Sequence, residues 1–125
     1  PFEHETLGDN LARCQRYFYA PVPKGTTSSY FCDAWTYSSG LAAGWITHPV
    51  QMRTTPTLAS SDGTDDFRFY RNGDIDYFDI LVLNTANPRG TMVYNDAQIS
   101  STAGHAGGFY NGDSTNCFLY LNAEL

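Results

Sequence analysis

Lysine is nearly missing from this chain. Lys24 is the only one, and Lys plus Arg total 7 against 13 Asp plus Glu, for a formal charge of -6 and a pI of about 4.7. A protein that holds nucleic acid neutralises phosphates with a basic stripe, and none is present. An anionic membrane surface is excluded as a partner on the same ground. Long apolar runs are missing too. Residues 41–46 and 80–83 are among the longest, far short of the ~20 residues of a spanning helix. Charged residues make up only 16%, below the ~25% usual for soluble domains. Paired cysteines at metal-ligand spacing are absent. Cys14, Cys32 and Cys117 form an odd set without a C-x-x-C, so a zinc site is not expected and buried free thiols are. No G-x-S-x-G elbow frames a nucleophile. The histidines are His4, His48 and His105 alone, and no catalytic residues are assigned. The chain starts at Pro1, not Met, which reads as a processed product or a piece of something longer.

What is present is aromatic and turn-rich. Nine Tyr, eight Phe and two Trp make 15% of the 125 residues. Clusters of Gly, Ser, Thr, Asn and Asp separate short stretches of strand formers. A helical turn is expected over residues 5–12, capped by Asp9 or Asn10. Strands are expected at 14–19, 28–37, Leu41–Thr47, 50–53, Thr57–Ser60, Phe67–Arg71, 76–83, 91–94, 97–101 and 115–123. Asn72-Gly73 is a hairpin signal. Residues 103–113, with Gly104, Gly107, Gly108 and Gly112, read as a Gly-rich loop. No segment sustains a 3.6-residue period and no repeat is visible. About eight antiparallel strands in one domain, residues 1–125, predict an all-β, jelly-roll-like β-sandwich. An immunoglobulin-like sandwich is disfavoured for want of a Cys…Trp…Cys pattern.

Three blocks carry a resemblance. Residues 10–19 read Asn-Leu-Ala-Arg-Cys-Gln-Arg-Tyr-Phe-Tyr, residues 48–57 read His-Pro-Val-Gln-Met-Arg-Thr-Thr-Pro-Thr, and the chain ends Asn-Ala-Glu-Leu. With the opening Pro-Phe-Glu-His, these resemble C-terminal domains of virion fibre proteins from tailed bacteriophages. His48 stands where those domains usually have Phe, and Phe18 where they often have Tyr. Residues 60–112 match no block of the family. The resemblance implies a tip domain of a tail fibre, tail spike or head fibre, exposed on the virion. It implies a β-sandwich, commonly a homotrimer attached to other virion proteins, and recognition of a host-surface glycan or protein. The matched blocks look like core and turn elements. Gln15, Arg16, Arg53 and Pro56 are therefore expected to be structural. The two arginines should bond carbonyls or a carboxylate such as Glu3, Glu5 or Glu124.

Sugar binding needs aromatic faces for the apolar side of the ring and amides, carboxylates or Arg for its hydroxyls. Loop aromatics are the better candidates, since strand aromatics are usually core. That favours Tyr110 and Asn111, then Tyr70, with Arg71 and His105 beside them. Trp35 and Trp45 are expected in the core, with Tyr37 nearby. The acidic clusters Asp62–Asp66 and Asp74, Asp76, Asp79 lack the calcium-loop pattern and read as solvated turns. No metal or cofactor is expected. Host recognition without chemistry is the favoured reading. A purely structural fibre or capsid-decoration module and a depolymerase or esterase tip are the rivals.

Overall fold

The computed structural model describes residues 6–124. Pro1, His4, Glu3, Glu5 and Leu125, on which some expectations rest, lie outside the described residues.

The chain forms an antiparallel β-sandwich with one short helix. The helix α1 spans Leu7–Gln15. Strands follow as β1 (Phe18–Val22), β2 (Tyr30–Ser38), β3 (Leu41–Thr47), β4 (Thr57–Ser60), β5 (Phe67–Arg71), β6 (Asp74–Phe78), β7 (Val82–Asn87), β8 (Gly90–Asn95), β9 (Ala106–Asn111) and β10 (Leu119–Asn122). The smaller sheet runs β1-β10-β4, and the larger runs β6-β5-β9-β2-β3-β8-β7. The chain crosses between sheets at β1–β2, β3–β4, β4–β5 and β9–β10. The sandwich is thus as expected, but with ten strands divided unequally.

Several boundaries differ from the sequence reading. Residues 14–19 are not one strand. Thr6, not Asp9 or Asn10, caps the helix, its hydroxyl accepting the Asp9 N–H at 3.1 Å. Asp9 in the first turn and Arg13 in the last suit the helix dipole. The helix therefore runs on to Gln15 before the chain extends. Residues 50–53 make no strand. Instead Met52 N–H donates to the Pro88 carbonyl (2.7 Å) and Arg53 N–H to the Arg16 carbonyl (2.7 Å). Residues 76–83 split into two strands around the buried pair Phe78 and Leu81. Residues 97–101 form a loop that Asn95 ties down, its side-chain oxygen accepting the Ala97 and Gln98 N–H groups. The Asn72-Gly73 hairpin is present, with φ of 41° and 77° at its two turn residues, as a type I′ turn requires.

The core uses Phe. Phe67, Phe69, Phe78 and Phe109 are fully buried, with ring centroids 5.4–5.7 Å apart in the pairs Phe67–Phe78, Phe69–Phe109 and Phe78–Phe109. Val22, Leu119 and Leu121 close it from the smaller sheet. Cys32 and Cys117 are buried free thiols, as expected, but Cys14 is exposed on the helix. Burial pushes the Cys32 thiol far up.

His48 is buried. Its polar edges are met: Nδ1–H donates to the Pro88 carbonyl (2.9 Å) and Nε2 accepts from the Thr91 hydroxyl (2.8 Å). Desolvation lowers its pKa, with the Pro88 bond opposing. A group whose folded pKa is depressed is protonated first in the unfolded chain, so stability should be full above the unfolded value of about 6.5 and fall as pH drops through it. Urea melts at stepped pH should show that decline in the wild type and a weaker one in His48→Phe.

Pro56 is buried and Gln15 half-buried, whereas Arg16 and Arg53 are both exposed. Their expected side-chain partners are not found among the described residues. The link between the two segments is made by backbone.

Candidate functional site

A strand sends alternate side chains to opposite faces. In the larger sheet this separates the aromatics by type. Phe67, Phe69, Phe78 and Phe109 point at the smaller sheet and are buried. The tyrosines and tryptophans of the same strands point the other way. Register aligns them in rows. Tyr77, Arg68, Tyr110 and Tyr30 are neighbours across β6, β5, β9 and β2. Tyr70, Gly108, Asp33, Trp45 and Met92 form the next row. Trp35, Ala43 and Tyr94 form a third, and Tyr37 follows Trp35 at the sheet end. Both tryptophans and six of the nine tyrosines thus share one face. The helix packs at β1 of the other sheet.

The densest part is built around Tyr110. Its ring meets Tyr70 at 4.6 Å and Tyr30 at 5.5 Å, both edge-on. Gly108 makes this possible, because a Cβ there would lie 2.8 Å from the Tyr30 ring. Polar groups border the rings. Arg68 sits 5.6 Å from the Tyr77 ring centroid, pairs with Asp113 at 2.7 Å and reaches the Tyr70 hydroxyl at 3.4 Å. The Ser28 hydroxyl (2.8 Å) and then Arg68 hold the Asp113 carboxyl below its usual range. The Tyr30 hydroxyl donates to Asp33, and that bond, with burial and the Asp33 charge, pushes the phenol up to about 12. The phenol therefore stays protonated at neutral pH as a donor.

Next to this cluster lies a depression of about 530 Å³ lined by Trp35, Tyr37, Leu41, Ala43, Asn84 and Met92. Trp45 is held against Gly90, where a Cβ would come within 2.1 Å of the indole. Trp35 and Trp45 are half-buried on this outer face, not in the core. The reason is parity: each lies between residues, Ala34 and Thr36 or Gly44 and Ile46, that point inward.

Of the sequence candidates, Tyr70 and Tyr110 are brought together on this face. Asn111 and Arg71 are corrections. Residues 106–111 are a strand, not a loop, so Asn111 lies one residue from Tyr110 and points the opposite way, as Arg71 does beside Tyr70 in β5. Asn111 is 0% exposed; its side chain accepts the Ser29 N–H (2.6 Å) and donates to the Thr26 carbonyl (2.6 Å). Arg71 is 8% exposed, paired with Asp76 at 3.0 Å and donating to the Ser100 carbonyl. Asn111 cannot reach a surface ligand; the Arg71 guanidinium is engaged within the chain, although Arg71 shares the lining of a depression with Tyr70 and Asn72. His105 precedes β9, half-buried, and its carbonyl accepts the Thr36 N–H at 2.8 Å. It stands apart from the Tyr70–Tyr110 cluster in the register. Tyr30, Asp33, Arg68, Tyr77, Met92 and Tyr94 were missed. Alternation in β2, β5, β6 and β8 is the signal that would have found the last five; Tyr30 has the parity of the buried Cys32 and Ala34 and joins this face through the irregularity between Tyr30 and Cys32.

Among the described residues no group of three or more His, Cys, Asp and Glu is placed to hold a metal ion. The acidic turns are occupied internally: Asp66 accepts the Gly63 N–H and Asp79 the Asp65 N–H. No described helix is long and apolar enough to cross a membrane. No family model matches the chain, and neither the curated proteins nor the solved structures give a match.

Proposed function

We propose that this is a non-catalytic recognition domain, the exposed tip of a virion fibre, whose aromatic sheet face binds a host-surface glycan. The observation that carries the reading is the collection of both tryptophans and Tyr30, Tyr37, Tyr70, Tyr77, Tyr94 and Tyr110 on one face, interleaved with Asp33, Arg68 and Asn84. Aromatic faces stack on the apolar faces of pyranose rings, and Tyr hydroxyls, Arg and carboxylates bond the hydroxyls. The resemblance of residues 10–19 and 48–57 to phage fibre domains supports the virion setting.

Assembly as a homotrimer belongs to the same proposal. Edge strands β1 and β6 carry Pro21, Asp74 and Asp76, devices that discourage strand pairing. The opposite edges, β4 and β7, do not. Residues 54–61 and 80–87 hold no charge, and Ile80, Val82 and Leu83 are exposed along the groove between them. Such a seam suits a sister subunit. It is also what favours the second reading, a purely structural fibre or capsid-decoration module.

The test is a glycan array followed by calorimetry on the best ligand, with sedimentation in parallel. Saturable binding is expected. Tyr110→Ala and Tyr70→Ala should each weaken it about tenfold, as loss of a central anchor does. Tyr17→Ala, outside the face, should not. A trimer that binds no glycan and no host cell leaves the structural module.

A further inference from the structure

A second site lies where the end of α1 meets residues 50–53. Ala12, Arg13, Arg16, Val50, Gln51, Met52 and Arg53 line a depression of about 610 Å³. Arg16 and Arg53 both line it, in a protein of net charge -6 with only 7 Lys and Arg. Among the described residues, no acidic side chain is part of the lining. The Arg53 N–H bond to the Arg16 carbonyl holds those two residues side by side across the cleft (2.7 Å). Met52, 2% exposed, anchors the segment in the core.

Arg68 and Arg71 show what this protein does with an arginine that needs a partner: each has an ion pair. Arg16 and Arg53 are exposed and make no side-chain bond or ion pair among the described residues. The negative pole of the helix C-terminus attracts Arg13 and Arg16. It gives no account of Arg53, which comes from a separate segment. Like charges held close repel, and an anion between them turns that repulsion into attraction. The guanidinium fork matches the geometry of an oxyanion.

We propose that this cleft binds an oxyanion group, the carboxylate, phosphate or sulfate of a larger ligand, held by Arg16 and Arg53 with Gln51 beside them. The site is independent of the aromatic face and stands or falls separately from it.

Inorganic phosphate and glucuronate, titrated separately into the full chain at low salt, test the proposal and distinguish phosphate from carboxylate ligands. Binding is followed by the arginine Nε–H resonances and by calorimetry. Saturable binding of at least one anion is expected, weakened about tenfold in Arg16→Gln and in Arg53→Gln. Added NaCl should weaken it further. Arg53→Lys should retain part of it, since charge survives without the fork. Tyr110→Ala should leave it unchanged. Absence of saturable binding to both anions overturns the proposal, as does binding that both Gln variants retain. A large fall in melting temperature in both Gln variants without anion also overturns it. That result would mean the arginines hold a carboxylate of the chain itself.

Discussion

Gly107→Ala should lose more than about 4 kcal/mol of folding stability, a size reserved for changes that break the backbone arrangement itself. Gly107 lies in β9, paired with Arg71 of β5 and Ala34 of β2. A Cβ built on it would sit 1.7 Å from the Tyr70 carbonyl oxygen and 2.7 Å from the carbonyl carbon. Both atoms are main chain in the neighbouring strand, so no side-chain rotation relieves the overlap. The strand must move or the pairing must open. Either outcome also separates Tyr70 from Tyr110, whose rings meet at 4.6 Å across the same two strands. Gly40→Ala is the control, because a Cβ there meets nothing within 4 Å and should change stability by less than about 0.5 kcal/mol. Urea unfolding followed by tyrosine fluorescence reads both. Gly107→Ala folding with near wild-type stability would mean that the close approach of β5 and β9 is not a fixed feature of the sheet.

That close approach also explains where the sequence was hard to read. Four glycines in residues 103–113 look like a loop, because glycine is the usual turn residue and weakens a strand. Here Gly107 and Gly108 serve a central strand, one letting β5 come near and the other giving the Tyr30 ring its place. Nothing local signals this; the requirement comes from neighbours tens of residues away. Elements set by local chemistry were legible. Asn72-Gly73 gives its hairpin, and β3, β4 and β5 begin and end where the pattern puts them. The sandwich itself was legible from short strands and frequent turns. The helix was legible in part: a helical turn over residues 5–12 was expected, but Thr6 caps it before the residues that look like caps, and it runs on to Gln15 with none of its residues buried to mark the extent. The candidate site was half legible. Tyr70 and Tyr110 were found as aromatics near turns. Their partners on β2, β5, β6 and β8 were missed, and Asn111 and Arg71 were grouped with Tyr110 and Tyr70 although both side chains turn inward. Adjacent residues of a strand do not share a surface: β9 was read as a loop, and in β5, read as a strand, the alternation was not carried through to Arg71.

Asn111→Ala and Tyr110→Ala should therefore behave as opposites, although the residues are adjacent. The Asn111 side chain is fully buried and bonds Ser29 N–H and the Thr26 carbonyl. These bonds tie the segment before β2 to β9, alongside the Asn111 N–H bond to the Ser29 carbonyl. Truncation strands one donor and one acceptor and leaves a hole, at a cost of about 2–4 kcal/mol. Its glycan affinity, measured well below the melting transition, should stay within about twofold, because no atom of Asn111 reaches the binding face. Tyr110→Ala removes a half-exposed ring and its edge contacts with Tyr30 and Tyr70. That should cost only about 1–2 kcal/mol in stability while removing most of the binding. Calorimetry and urea unfolding on the two variants place each on two axes, stability and affinity. If Asn111→Ala loses affinity without losing stability, the assignment of the faces is wrong. If Tyr110→Ala loses neither, the aromatic face is not where ligand binds.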